Sequence, residues 1–161
     1  MNVSIVCVGK LKEAYWRDAC AEYIKRLSRF AKVGVYELPE ERLADEPSPA
    51  QEQAVIDAES EALLKKLDAL SPDKVIALDV GGKQMSSVAL SEYLDSLKLT
   101  GTSSIAFVIG GSLGFNDRVR KRADLALSFS AFTFPHQMMR VILLEQIYRA
   151  FKISAGEKYH K

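Results

Sequence analysis

The segment of residues 129–140, FSAFTFPHQMMR, combines aromatic and ionisable side chains in a pattern that could serve a ligand. It contains three phenylalanines, Phe129, Phe132 and Phe134. An apolar wall of this kind, where a predicted strand leaves the sheet, suits an adenine or another base. His136 and Arg140 lie one helical turn apart and share a face at the start of a predicted helix. Phenylalanines near a helix are more often core residues, and His136 could be a helix cap, so residue types alone leave both interpretations open.

Two glycine-rich turns follow apolar predicted strands earlier in the chain. Gly81-Gly82 follows KVIALDV, and the five residues 110–114, GGSLG, follow SIAFVI. Glycine lets a ligand approach the backbone closely, so two such turns on neighbouring strands favour a shared nucleotide-like ligand over plain connections. Neither turn matches GxxxxGK[ST] or G-x-G-x-x-G, which disfavours nucleotide hydrolysis and NAD-dependent redox chemistry. No Ser-His-Asp or Cys-His set and no pair of acids for glycoside hydrolysis stands out.

Composition predicts an ordinary globular protein. The 161 residues are 48% hydrophobic and 27% charged, which fits a single domain over residues 1–161. With two cysteines, Cys7 and Cys20, and two histidines, a zinc site has almost no ligands, and we expect no metal. Both cysteines are predicted to be small buried side chains in a reducing compartment. The first apolar run is too short to span a membrane and has no cleavage site, so we expect a cytoplasmic protein and no membrane partner.

The charges are unevenly distributed although the net charge is only +1. Residues 10–32 hold seven Lys/Arg against three acids, and residues 114–161 hold nine against four. Residues 37–61 hold one base against nine acids. The two basic ends would form one positive face if they meet in space, whereas isolated runs would be ordinary solvated helix faces.

The elements that must position these residues alternate between strand and helix patterns. Predicted strands cover residues 2–9, 33–39, 74–80, 104–109 and 125–130. Predicted helices cover residues 12–30, Pro49 to about Leu70 with Ser48 as cap, Ser86 or Ser87 to Leu97, the basic segment 118–122, and Thr133/Pro135 to Ile153. This alternation predicts an α/β fold with a mostly parallel sheet flanked by helices and ligand chemistry at the carboxyl ends of the strands. The last helix is apolar on more than one side, so it is either a central core helix or a homodimer interface.

Several of these segments resemble one known family. VCVGK (6–10), LDVGGK (78–83), FVIGGSLGF (107–115) and above all the final 35 residues, 127–161, resemble the RlmH family of small SPOUT methyltransferases. These enzymes methylate N3 of a pseudouridine in 23S ribosomal RNA, in the helix 69 stem-loop. The resemblance covers nearly the whole chain, and its carboxyl-terminal block is the most specific part.

The resemblance implies features that the residue patterns do not. The carboxyl-terminal part of the fold would be tied in a trefoil knot, and the chain would act as a homodimer on 23S rRNA, with the assembled ribosome as the expected substrate. S-adenosyl-L-methionine would be the cofactor. Its contacts, carried over by position, would be Leu78, Gly110, Phe129, Ser130, Ala131, Phe132, Thr133 and Phe134.

The resemblance also implies the catalytic side chains. These would be His136, Arg140, Tyr159 and His160, with the target nucleotide between one protomer's cofactor and the partner's carboxyl tail. Basic residues of the first helix and of 118–122 would contact RNA phosphates. Two alternatives remain: a SPOUT methyltransferase acting on another rRNA or tRNA nucleotide, and a binding protein of the same fold without turnover.

Overall fold

The computed structural model describes residues 1–160. The strands are β1 (Asn2–Val8), β2 (Lys32–Leu38), β3 (Lys74–Gln84), β4 (Ser104–Ile109) and β5 (Leu125–Ser128). The helices are α1 (Ala14–Leu27), α2 (Pro49–Leu70), α3 (Ser87–Leu99), α4 (Asp117–Arg122) and α5 (His136–Ser154). The five strands form one parallel sheet in the order β2-β1-β4-β3-β5. This confirms the predicted α/β class with a parallel sheet flanked by helices, while the trefoil knot stays a prediction.

Two separate apolar cores cover the two faces of the sheet. On one face, alternate residues of β1 such as Ile5 pack with α1, α3 and α5. On the other face, Val6 and its neighbours pack with α2 and the short helix α4. The alternation follows from the period of two along a strand. Cys7 and Cys20 are both buried in the first core, as predicted.

Helix α2 begins and ends where the sequence predicts. The Ser48 hydroxyl accepts a hydrogen bond from the Gln51 backbone N–H, and the Gln51 side chain accepts one from the Ser48 N–H. This capping box satisfies two donors that the first turn of a helix leaves without partners. The predicted helix from Pro49 to Leu70 is confirmed.

Strand β3 differs from its prediction because it does not end at Val80. Leu78 pairs with Leu127 of β5, and then Lys83 pairs with the same Leu127, so residues 79–82 loop out of the ladder. The close approach requires glycine: a Cβ on Gly82 would lie 2.6 Å from the Ala126 carbonyl carbon. The sequence pattern treats Gly81-Gly82 as a turn ending the strand, whereas the strand resumes after it and runs to Gln84.

Helix α5 has packing partners within one protomer. It packs against α1 and α3, and no side chain from residue 136 to residue 153 is fully exposed. One side of α5 is therefore part of the core, whereas Met138, Val141 and Ile142 stay partly exposed, and the homodimer interface stays a prediction. Across residues 1–160, none of the helices is long and apolar enough to cross a membrane.

Candidate active site

A cavity of about 540 Å³ opens at the carboxyl ends of β3, β4 and β5. Its walls come from the three strand ends that carry the sequence signals. The lining includes Leu78, Gly110, Phe129, Ser130, Phe132, Thr133 and Phe134, seven of the predicted cofactor contacts. Ala131, the eighth, is exposed and is not part of the lining. Of the four predicted catalytic residues only His136 lines the cavity, together with Met139 one turn further along α5.

The glycine turn after β4 is folded too tightly for side chains at two positions. A Cβ on Gly110 would lie 2.8 Å from the Gly114 carbonyl carbon, and Gly114 itself has a φ of +78°. A Cβ on Gly111 would lie 2.4 Å from the Glu59 Oε2 atom. At these glycines the turn presents backbone to the cavity, beside Ser112, and backbone N–H and C=O groups can fix the orientation of a bound ligand.

Glu59 of α2 supports this turn from behind. It is 3% exposed, and its Oε1 atom accepts a hydrogen bond from the Glu41 backbone N–H at 3.0 Å. Its Oε2 atom has no hydrogen-bond partner within residues 1–160. Burial raises the pKa of Glu59 and so favours the protonated carboxyl, because a charged group loses its hydration in the interior. Glu59 thus links the loop after β2 to the glycine turn.

The backbone between β5 and α5 forms the aromatic wall. The Ser128 hydroxyl donates to the Ser130 carbonyl at 3.1 Å, and the Ser130 hydroxyl accepts from the Phe132 N–H at 3.0 Å. These bonds hold a compact turn that leaves Phe132 77% exposed at the mouth of the cavity. An exposed phenylalanine beside a cavity is available to stack on a planar ligand.

His136 is the first residue of α5 and is half-buried. Its Nε2 atom lies 3.3 Å from the position that a Cβ on Gly9 would occupy, and the Glu40 Oε2 atom lies 3.5 Å from the same position. Burial lowers the pKa of His136 below its usual value, the positive charges of Arg140 and Lys12 lower it further, and the Glu40 carboxylate opposes both. The imidazole is therefore neutral near pH 7 and can accept a proton.

Arg140 is buried behind His136 and does not line the cavity. Its side chain is 1% exposed and forms an ion pair with Glu37, with Nη1 2.6 Å from Oε1. Its Nη2 donates to the Val8 carbonyl at 3.0 Å and to the Gly9 carbonyl at 2.6 Å. In this arrangement Arg140 fixes the turn after β1 that packs beside His136. The catalytic role that the resemblance implies for Arg140 stays a prediction.

The carboxyl tail packs at the opposite end of α5. The Tyr159 ring meets the Tyr148 ring with centroids 5.0 Å apart, and its hydroxyl donates to Glu145 at 3.2 Å. Burial and the Glu145 carboxylate raise the pKa of Tyr159 to about 12. His160 lies beside Arg149, with Nδ1 and Nη1 3.5 Å apart. The twelve positions from residue 136 to residue 148 span roughly 18 Å of helix, so one protomer does not bring its own tail to its His136.

The sequence interpretation missed an ion pair at the rim of the cavity. Asp79, in the looped-out part of β3, and Arg120 of α4 both line the cavity, with Oδ2 and Nε 2.6 Å apart. The sequence assigns no role to Asp79 and groups Arg120 with residues that contact RNA. The two lie 41 positions apart, and no local spacing signals that they meet.

The whole chain is similar to known proteins. Residues 1–160 match a family described as "Predicted SPOUT methyltransferase". The chain is 52% identical to "Ribosomal RNA large subunit methyltransferase H" of Alkaliphilus oremlandii and 48% identical to the protein of that name from Leuconostoc citreum. Both similarities cover 100% of this chain and 100% of the relative.

One solved structure supports the fold. A probable methylase family protein from Haemophilus influenzae superposes on 99% of this chain and 70% of its own, with a TM-score of 0.56 and 13% identity. At that identity the likeness concerns the fold alone. The end-to-end sequence match goes further and confirms the resemblance noted in the sequence: the chain belongs to the SPOUT methyltransferase family.

Proposed function

We propose that this protein is a cytoplasmic S-adenosylmethionine-dependent methyltransferase that methylates N3 of a pseudouridine in the helix 69 stem-loop of 23S rRNA, on the assembled ribosome. The observation that carries the proposal is the full-length similarity to relatives named ribosomal RNA large subunit methyltransferase H. The position of the cavity supports it, because the loops that line it follow the three strands marked in the sequence.

The cavity fits S-adenosylmethionine in size and chemistry. Its volume of about 540 Å³ lies within the usual range for small-molecule sites. The phenylalanines after β5, with Leu78 and Ile109, offer an apolar wall for the adenine. Gly110, Gly111 and Gly114 offer backbone groups without side chains in the way. The residues that would hold the cofactor are Leu78, Gly110 and the segment 129–134.

The chain's own residues have two tasks in this reaction. When bound, S-adenosylmethionine supplies an electrophilic methyl group on a sulfonium sulfur. The acceptor, N3 of pseudouridine, is an imide nitrogen that loses its proton as the new N–C bond forms. His136, kept neutral by burial at the rim of the cavity, accepts that proton. The walls of the cavity hold the reactants in line, which supplies the largest part of the rate enhancement. Arg140 keeps the turn after β1 in place beside His136.

A second copy of the chain would complete the site. Tyr159 and His160 pack near Tyr148 and Arg149, far along α5 from the cavity of the same protomer. If these two residues act on the nucleotide, they reach it from the partner subunit. We therefore propose a homodimer in which each site combines one protomer's cavity with the partner's tail, the arrangement the resemblance implies.

A methyl-transfer assay tests the proposed function. Purified protein and S-adenosylmethionine labelled on the methyl group would be incubated with ribosomes that lack this modification. We expect incorporation into 23S rRNA at a single nucleotide, and none when the target pseudouridine is replaced by uridine. Isolated large subunits and deproteinised 23S rRNA serve as parallel substrates and should be poorer. Incorporation into tRNA or at another rRNA nucleotide would support the alternative SPOUT activity, and no incorporation into any RNA would refute the methyltransferase proposal.

A further inference from the structure

The lining of the cavity carries very little charge. Among residues 1–160, the cavity lining contains only one acidic and one basic side chain besides His136. These are Asp79 and Arg120. The rest of the wall is glycine, hydroxyl-bearing or apolar residues and the titratable His136. The two charges have opposite signs and are adjacent, so the cavity has one charged corner and an otherwise nearly uncharged surface.

This corner is rigidly built. The Asp79 side chain is 18% exposed; its Oδ1 accepts from the Gly81 N–H at 3.0 Å and its Oδ2 accepts from Arg120 Nε at 2.6 Å. The Arg120 Nη1 donates to Asp117 at 3.0 Å, and the guanidinium lies 5.3 Å from the centre of the Phe115 ring. These contacts use Nε and Nη1. The Arg120 Nη2 has no hydrogen-bond partner in the described part of the chain and remains able to donate.

The charges of S-adenosylmethionine make the location of this corner informative. At one end the molecule carries an α-ammonium and an α-carboxylate, and at the other an uncharged adenosine. Charged groups placed against an apolar wall lose their hydration without compensation, so they are found where opposite charges and hydrogen-bond partners are available. A carboxylate accepts a charge-assisted hydrogen bond from a guanidinium N–H, and an ammonium donates one to a carboxylate.

We propose that Asp79 and Arg120 bind the amino-acid head group of S-adenosylmethionine, Arg120 through the α-carboxylate and Asp79 through the α-ammonium. This inference rests on the proposed use of S-adenosylmethionine and adds a determinant of specificity to it. The pair makes the site discriminate ligands with a complete methionine head group from adenosine thioethers that lack it. The remaining wall then holds the adenosine.

A purely structural salt bridge would behave differently. If the pair only ties the looped-out residues 79–82 to α4, its removal should weaken all ligands of the cavity alike. If the pair binds the head group, its removal should weaken only those ligands that carry the matching charge. Three probes separate the two roles: S-adenosylhomocysteine has the whole head group, decarboxylated S-adenosylmethionine lacks the carboxylate, and 5′-methylthioadenosine lacks both charged groups.

The experiment is calorimetric titration of Arg120→Gln and Asp79→Asn with these three compounds. Arg120→Gln should weaken S-adenosylhomocysteine roughly ten- to hundredfold, the usual effect of losing hydrogen bonds to a charged group, and should leave the other two compounds within about twofold. Asp79→Asn should weaken both compounds that carry the ammonium and leave 5′-methylthioadenosine unchanged. The matched control is Arg118→Gln, on the same helix, because Arg118 pairs with Glu61 and does not line the cavity.

The outcomes distinguish this inference from the proposed function. Unchanged binding of 5′-methylthioadenosine by each variant shows that its pocket is folded. Equal weakening of all three compounds, or unaltered binding of S-adenosylhomocysteine, would overturn the head-group assignment while leaving the cofactor proposal intact. Failure of the unmodified protein to bind any of the three would overturn the cofactor proposal itself, and this inference with it.

Discussion

At the scale of single residues, burial and neighbouring charges shift the pKa of the His136 imidazole in opposite directions. Burial and the positive charges of Arg140 and Lys12 favour the neutral ring, and Glu40 favours the protonated ring. Because the folded-state pKa is lowered, the ring stays neutral to a lower pH than that of an ordinary histidine. Its capacity to accept a proton is lost as the pH falls through that lowered pKa.

NMR titration of the histidine ring protons measures this directly, because the chain has only two histidines and His160→Gln identifies the other. We expect the midpoint of His136 to lie below 6.5, its ordinary value. Glu40→Gln removes the charge that favours protonation, so the midpoint should fall further. In a methylation assay the acidic limb of kcat/KM should move in the same direction. A midpoint above 6.5 would contradict the placement of this side chain.

The sequence predicts much of the cavity lining where the signal is local. The glycine turn, Leu78 and the phenylalanine segment are adjacent to strand ends, and the carboxyl ends of parallel strands meet at one edge of a sheet. Ala131 is exposed in the turn that the Ser128 and Ser130 hydroxyls hold and is not part of the cavity lining, so its contact with the cofactor stays a prediction. Asp79 and Arg120 were not predicted as a pair, because their contact depends on how residues 79–82 leave the sheet, which no local pattern encodes.

At the scale of elements, the start of α2 tests how much a cap contributes to this fold. Ser48→Ala removes one half of the capping box and should lower the free energy of unfolding by about 1 kcal/mol. Ser48→Thr keeps the hydroxyl and should lose less. Urea denaturation followed by circular dichroism gives both values. Equal stability of the alanine and unmodified proteins would show that the box forms without stabilising α2.

The limit of an element is predictable where a local residue sets it and is missed where contacts with another segment set it. Ser48 and Ser86 cap α2 and α3, and serine before a helical pattern is a signal that the sequence shows directly. The end of β3 depends on β5, because Leu127 pairs with both Leu78 and Lys83 and so restores the ladder after the loop. In the same way β5 ends at Ser128, two residues before its predicted limit, because the chain turns there through the hydroxyls of Ser128 and Ser130.

At the scale of the whole molecule, the alternating pattern predicts the α/β sheet, the apolar last helix leaves a dimer open, and the knot is implied only by the resemblance. The pattern of apolar residues shows which faces of an element are buried. It does not show whether a segment passes through a loop, which is what forms a knot. It also could not separate a core helix from an interface helix in α5; packing against α1 and α3 accounts for one side of that helix within one protomer.

Mixing of inactive subunits tests the composite site. One variant would be truncated after Gly156, which removes Tyr159 and His160, and the other would carry Gly110→Ala, whose Cβ would clash with the Gly114 backbone. Each alone should be inactive. Co-expressed, random two-fold pairing would give mixed dimers with one intact site each and restore about a quarter of the unmodified activity.

Two controls make the mixing experiment decisive. Each variant expressed with itself under two tags should remain inactive, and the solution mass of all samples should be that of a dimer. Activity of the truncated protein alone would remove the tail from the reaction. Mixed samples no more active than their parents, although mixed dimers are isolated by the two tags, would show that a subunit does not use its partner's tail.

The buried guanidinium of Arg140 also has a consequence for how the chain is made. It donates hydrogen bonds to the Val8 and Gly9 carbonyls, 132 and 131 positions earlier, and to Glu37, 103 positions earlier. The turn after β1 therefore lacks these bonds until α5 has been synthesised. Until then two backbone acceptors at the end of β1 and a carboxylate on β2 lack this partner and can accept hydrogen bonds from water. A nascent chain of this protein therefore cannot complete its fold vectorially from the amino terminus. A chain interrupted before residue 140 lacks Arg140 and therefore the three hydrogen bonds that this side chain donates to Glu37, Val8 and Gly9.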